Sequence, residues 1–463
     1  MRKINSRVGL CIGLLTVHAL SSCTSIKQGI GTKKLKKPMQ TMLGAALFSN
    51  VIGTPMSTTM PSVSNTTGLS NTTAMGTTLN PYDLSTTEAF NATEPHPYTC
   101  KDASIGIDML NAKRGPYGTT SLMDAAADGR IEDLKQLILN KAALNVRDNN
   151  GRTALMYAIA NDKIDVVKLL TENNLLTDST ADSKIELLNA GDKEGITPLM
   201  RAIIEKNIPS IKYLLNQQNV DLNVKDHDGK TALMHGAVRL EPDTYKLLVE
   251  SHRVDRDAQD NEGRTALMYS VTHQKKENAE LLINYGASMT LGDYQGKTAL
   301  MHVVISNIPN QKDLVDFLID KGAKVDQQDG VGRTALMYAG IHNRGDSIRG
   351  LVEKGVNLNI QDHEGRTFLM YMAMSPLYTD QRSILDLLQN RPFDLEVKDH
   401  KGKTVLMYGV IHGAPYYVAA LIEEKADLHA KDYDGRTAYA HAIRSEQFEI
   451  ADLLKAKGAD PNE

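Results

Sequence analysis

The amino-acid sequence predicts an all-α fold, a helical-hairpin solenoid of about ten repeats behind a low-complexity N-terminal segment. Three observations predict it. A phrase of the form Gly-x-Thr-Ala-Leu-Met recurs from Gly118 onward, its glycines separated by 33, 44, 34, 34, 33, 36, 33, 37 and 33 residues. A pair of apolar residues, such as Leu169-Leu170, Leu247-Leu248 or Leu281-Leu282, follows most copies at a similar remove. With no Trp and six Phe in 463 residues, the core has to come from many small aliphatic contacts. A period of this size marks a supersecondary unit that buries its apolar face only against a neighbour.

In chain order, residues 1–22 read as an address. Arg2, Lys3 and Arg7 form a basic start, and Val8 to Leu20 an apolar run. That run is short of the roughly 20 residues a membrane-spanning helix needs and suits a cleavable signal. It ends in Leu20-Ser21-Ser22-Cys23, which resembles the lipobox of bacterial lipoproteins. The resemblance implies that Cys23 becomes the lipidated N-terminus and that Cys11 is discarded. Because Thr24 rather than Asp follows, it also implies an outer-membrane lipoprotein of the bacterial envelope, with the side of display open. A secretory signal with an unrelated Cys is the alternative. With so few cysteines, no disulfide framework holds the body together.

Residues 23–114 read as a disordered tether. Lys33, Lys34, Lys36 and Lys37 form a basic cluster suited to anionic headgroups or to plain solvation. Gly53 to Cys100 is dominated by Ser, Thr, Asn, Pro and Met, with no helical or strand period and too little apolar content to offset its ordering entropy.

Residues 115–463 carry the repeats, with motifs starting near 118, 151, 195, 229, 263, 296, 332, 365, 402 and 435. Nine of the ten glycines have an Asp three residues earlier: Asp148, Asp192, Asp226, Asp260, Asp293, Asp329, Asp362, Asp399 and Asp432. Asp-x-x-Gly is turn chemistry, since the carboxylate can accept nearby amides and Gly takes a left-handed backbone without steric cost. The Thr two residues later suits a helix N-cap, and Ala-Leu-Met opens a first helix. A second helix follows, several times next to a Pro (Pro209, Pro242, Pro309, Pro376, Pro415), and units close with Gly-Ala at Gly286, Gly322 and Gly458. The 44-residue interval contains about 11 additional residues around 172–190, expected as a protruding loop or a lengthened second helix. In the last copy Glu446, Glu449 and Lys455 suggest the polar end cap a solenoid needs.

This pattern resembles the ankyrin repeat, whose unit of about 33 residues opens with a β-turn and Thr-Pro-Leu-His-x-Ala. The resemblance covers about Gly115 to Glu463. Its departures are that Pro survives only at Pro198 and that Met replaces His in nine copies, from Met123 to Met407. The substitution is expected to remove a polar tie and add apolar packing, leaving the hairpins to rely on Asp and Thr.

The resemblance implies binding of another protein through the turn tips and the concave face of the first helices. Tip positions include Asn149, Asn150, His227, Asp228, Asn261, Tyr294, His363, His400 and Tyr433. One residue after each Leu-Met runs a second row: Tyr157, Arg201, His235, Tyr269, His302, Tyr338, Tyr371, Tyr408 and His441. Such side chains either meet a partner, offering apolar area with a polar end, or pack between neighbouring first helices. A basic row (Arg152, Lys230, Arg264, Lys297, Arg333, Arg366, Lys403, Arg436) either attracts an acidic partner or balances the Asp row.

Charge argues against nucleic acid. Met1 to Tyr117 holds 11 basic and 5 acidic residues, so with 52 basic and 56 acidic in total the remainder carries −10. No phosphate loop, nucleophile elbow or His-Glu-x-x-His motif occurs, so no catalysis, cofactor or small-molecule substrate is expected. The tip histidines His363 and His400 lie one repeat apart, and helices stacked about 8–10 Å apart cannot share a metal with ligands at about 2 Å. The expected function is a membrane-tethered interaction scaffold. Its partner is a host protein or, alternatively, a periplasmic enzyme of the envelope that it supports or inhibits.

Overall fold

The computed structural model of the protein describes residues 107–172, 181–375 and 391–461. The chain divides into two units, Met1–Thr93 and Glu94–Glu463, and all described residues belong to the second. The signal segment, Cys23, the basic cluster and nearly all of the tether lie outside the described residues, as do Pro376 and Leu387-Leu388.

The described residues form an all-α solenoid of 21 helices, with a single antiparallel bridge between Arg114 and Thr119 in the first hairpin. A short α1 (Ile107–Leu110) precedes the first helix pair, α2 (Ser121–Asp128) and α3 (Ile131–Leu139). The second pair is α4 (Ala154–Ala160) and α5 (Ile164–Thr171), followed by an extra helix, α6 (Ala181–Asn189). Then come α7 (Pro198–Ile204) with α8 (Ile208–Leu215), and α9 (Ala232–Arg239) with α10 (Pro242–Val249). The fifth and sixth pairs are α11 (Ala266–Thr272) with α12 (Lys276–Asn284) and α13 (Ala299–Ile305) with α14 (Gln311–Asp320). The seventh is α15 (Ala335–Ile341) with α16 (Gly345–Glu353), and the eighth repeat opens with α17 (Phe368–Ala373). The last two pairs are α18 (Val405–Ile411) with α19 (Pro415–Glu423) and α20 (Ala438–Arg444) with α21 (Phe448–Ala456).

Each first helix starts where the chain has placed a Thr. Its backbone is extended, and in most repeats its hydroxyl accepts the amide three residues on, as Thr265 does from Met268 at 3.4 Å. Thr231 and Thr404 depart from this. Their hydroxyls are buried without a partner, so the cap expected there is not made. The methionines also do more than pack. The amides of Thr120, Thr265 and Thr367 donate to Sδ of Met123, Met268 and Met370 at 3.4–3.5 Å. The thioether, a weak acceptor, thus returns part of the polar tie that the sequence appeared to give up.

Most first and second helices are joined through a left-handed residue, which is Gly at Gly129 and Gly413 but Asp162, Lys206, Gln274, Asn310, Asn343 and Glu446 elsewhere; the short α9–α10 link, Leu240 and Glu241, has none. Pro209, Pro242 and Pro415 occupy first-turn positions of α8, α10 and α19. Helix pairs stack like with like, and one contiguous apolar core runs from Leu110 to Ala459. No repeat has a core of its own. The additional residues after α5 form neither a plain loop nor a longer α5: α6 is a separate helix that buries Leu187 and Leu188. At the last repeat Glu446, Glu449 and Lys455 are exposed as an end cap requires, but Ile443 and Phe448 also remain 46% and 62% exposed.

Candidate interaction surface

Stacking fixes the hairpin tips through backbone. In every successive pair of repeats, the residue after the turn Asp donates its amide to a tip carbonyl of the preceding repeat. Examples are His227 to Glu194 at 2.9 Å, Asn261 to Asp228 at 3.0 Å and His400 to Glu364 at 2.9 Å. The turn glycines make this approach feasible. At Gly263 (φ 82°) a Cβ would lie 2.3 Å from the Tyr294 amide nitrogen, whereas at Gly435 (φ 78°) it would meet nothing within 4 Å.

The Asp of each turn is a three-way junction. Oδ1 accepts the amides two and four residues on at 2.7–3.0 Å in all nine copies. Oδ2 takes a side-chain donor nine residues on, at 2.6–2.9 Å. That donor is the hydroxyl of Tyr157, Tyr269, Tyr338, Tyr371 or Tyr408, the guanidinium of Arg201, or Nε2 of His235, His302 or His441. A carboxylate only accepts, so each of these histidines carries its proton on Nε2.

The predicted concave row is therefore a row of pins joining the first helix to its own hairpin. Arg201, His235, Tyr338, Tyr371 and His441 are buried, and Tyr157, Tyr269, His302 and Tyr408 half-buried. What the row can show a partner is the ring surface of these four. The pins were legible as a residue set but not as a function, because the contact joins positions nine apart across a turn. One signal was available: the first copy, which has Gly115 in place of the Asp, has Asp124 in place of the donor.

The pins shift titration in opposite directions. Burial raises the Asp260 carboxyl, but hydrogen bonds from Tyr269, the Arg264 and Glu262 amides and the Arg264 guanidinium outweigh it and hold it below the usual range. Asp293, Asp362 and Asp432 are lowered likewise, again against burial, chiefly by His302, by Tyr371 and by the Arg436 amide with His441. Burial, then the bond to Asp362, pushes Tyr371 up to about 12. The same causes raise Tyr157, Tyr269, Tyr338 and Tyr408.

The basic row interleaves with these rings. Tyr269 lies between Lys230 (5.9 Å from the centroid) and Arg264 (5.0 Å), and Tyr371 between Arg333 (5.4 Å) and Arg366 (5.1 Å). Several cations also pair with the acid beside them: Lys230 with Asp228 at 3.0 Å, Arg264 with Glu262 at 3.0 Å, Arg366 with Glu364 at 2.9 Å, and Arg436 with Asp434. The exposed part of the surface is at the tips. Asn149, Asn150, His227, Asp228, Asn261, His363 and His400 are exposed, and Tyr294 and Tyr433 are 69% and 73% exposed. Among the described residues no cluster of His, Cys, Asp and Glu could hold a metal ion, and no helix is long and apolar enough to cross a membrane.

A hairpin ladder, a Thr-capped first helix and a stacked second helix, repeated at this period, define an ankyrin array. The family model for ankyrin repeats in three copies matches overlapping segments that together span residues 100–463. The chain belongs to the ankyrin repeat family. A putative ankyrin repeat protein of Rickettsia felis is 29% identical over 121 residues, 26% of this chain and 35% of that protein. Serine/threonine-protein kinase 12 of Arabidopsis thaliana is 39% identical over 97 residues, covering 21% of this chain and 19% of its own length. A putative ankyrin repeat protein of fowlpox virus is 31% identical over 121 residues, 22% of this chain and 20% of that protein. The matched segments thus span about a third or less of these relatives, and the likeness is one of repeats.

Proposed function

We propose that the protein is a non-catalytic interaction scaffold, anchored to a bacterial outer membrane through acylated Cys23, that binds a partner protein along its hairpin tips. The observation that carries the reading is the division of labour at the turns. Tip backbones are locked repeat to repeat, while His227, Tyr294, His363, His400 and Tyr433 hold their side chains in solvent. A rigid row of aromatic and imidazole groups offers contact area at low entropic cost. The half-buried rings of Tyr157, Tyr269, His302 and Tyr408 border that row.

A photo-crosslinking residue placed at Tyr294 or Tyr433 should capture one defined protein in intact cells. The same residue at Tyr416, 88% exposed on α19, should not. Equal capture at Tyr416 would remove the tips from the binding surface. For the anchor, Cys23→Ser should move the chain from the membrane to the soluble fraction, and unchanged membrane retention would reject the lipid.

A further inference from the structure

We infer that the surface around Tyr338, between the sixth and seventh repeats, is an anionic-peptide subsite that takes an acidic, extended segment of the partner. This rests on the scaffold reading and names the chemistry of what the scaffold holds. Four of the eight row cations have an acid two residues earlier (Asp228, Glu262, Glu364, Asp434); Lys297 and Arg333, in adjacent repeats, have Gln295 and Val331 there, as Arg152 and Lys403 have Asn150 and Lys401. Lys297 Nζ donates to the neutral Gln295 Oε1 at 2.6 Å, and Arg333 Nε to the Tyr371 hydroxyl at 3.0 Å. Neither has the carboxylate partner found for Lys230, Arg264, Arg366 and Arg436.

A third cation joins them. Arg344 precedes α16, where a positive charge is disfavoured by the helix dipole. At the same place Arg130 pairs with Asp133 at 2.5 Å and Lys275 with Glu241 at 3.3 Å. Arg344 instead donates to the neutral Asn307 Oδ1 at 2.7 Å, and its Nε is buried without a partner. A buried donor left unsatisfied is costly, and an incoming carboxylate would remove part of that cost.

Two of the three cations flank one ring, and Arg344 stands two residues from the imidazole stacked on it. The Tyr338 ring has Lys297 Nζ 5.5 Å and Arg333 Cζ 5.9 Å from its centroid and stacks on His342 at 6.2 Å. Burial, then Arg344, Lys297 and Arg333, lower the His342 pKa. The nearest pinned acid, Asp329, is buried, with its oxygens occupied by two amides and the Tyr338 hydroxyl. Charge complementarity therefore calls for carboxylates, presented by a chain thin enough to follow the stacked repeats. A long nucleic-acid polyanion fits less well, because the body beyond Tyr117 carries −10 and the cationic patch is local.

The test uses the full chain and a fluorescein-labelled 12-residue peptide of alternating Glu and Gly, with a Lys/Gly peptide and a 12-nucleotide oligo(dU) as comparators. The Glu peptide should bind in preference to both. Lys297→Glu with Arg344→Glu should weaken it about tenfold, and Arg436→Glu, at a cation already paired, less than twofold. Thermal melting checks folding, and Lys297→Gln with Arg344→Gln serves if the charge reversals fail to fold. Equal weakening by Arg436→Glu, absence of peptide binding, or preference for the oligonucleotide would overturn the subsite. If the peptide fails while the crosslinker at Tyr294 still captures a protein, the scaffold stands and only the acidic partner falls.

Discussion

Replacing Tyr338 by Phe deletes one oxygen and leaves the ring that stacks on His342 and faces Lys297 and Arg333. The lost hydroxyl is the side-chain donor to Asp329 Oδ2 at 2.6 Å. Asp329 is 7% exposed, so its oxygen stays buried as a charged acceptor. Hydrogen bonds to charged groups contribute about 1.5–3 kcal/mol, and a cost of about 2 kcal/mol is expected. Tyr269→Phe is the internal control. It removes the same bond from Asp260 at 2.7 Å, but Arg264 Nε remains on that oxygen at 3.0 Å, so only about 1 kcal/mol should be lost. Urea unfolding followed by far-ultraviolet circular dichroism reads both as midpoint shifts at unchanged slope. Equal shifts for the two variants, or a Tyr338→Phe cost below about 0.5 kcal/mol, would refute the pin as an energetic element.

Three further outcomes follow from turn geometry and titration. Gly435→Ala should cost about 1–2 kcal/mol for its left-handed backbone alone, whereas Gly263→Ala adds a clash with Tyr294 and should cost at least about 1 kcal/mol more; equal melting temperatures would contradict this. Gln274 is exposed at φ 59°, so Gln274→Gly should stabilise by up to about 1 kcal/mol, checked by the same urea titration. Asp260, Asp293, Asp362 and Asp432 have lowered folded values, so their stabilisation is full above about pH 4 and is lost as pH falls through those values. Tyr371, raised to about 12, stabilises fully below about pH 10 and loses that contribution between pH 10 and 12. A melting temperature flat from pH 5 to pH 2 would sink the acid half.

The parts of the fold that are local in sequence were legible there. Asp-x-x-Gly, the capping Thr and the Ala-Leu-Met start each act within a few residues, and ten recurrences carried the stacking with them. Contacts across the turn were not. Tyr338 and Asp329 stand nine residues apart with no periodic relation, so the row looked like a binding face until its hydroxyls and imidazoles were seen bonded inward. Residues 181–189 misled for a related reason: Leu187 and Leu188 suit a helix or a loop equally, and packing decides. The methionine acceptor escaped because Sδ reads as apolar until an amide lies 3.4 Å away. The unpaired cations at Lys297 and Arg344 become visible only beside their paired equivalents in other repeats.

Exposed tips are assigned here to binding and pinned hydroxyls to stability. Partner retention and melting temperature, measured together for Tyr294→Ala and Tyr338→Phe, test that assignment most directly. Tyr294→Ala should lose the partner and melt like the parent chain, while Tyr338→Phe, which removes only the hydroxyl and keeps the ring beside Lys297 and Arg333, should melt earlier and keep the partner. The reverse pattern would contradict the division between tip and pin.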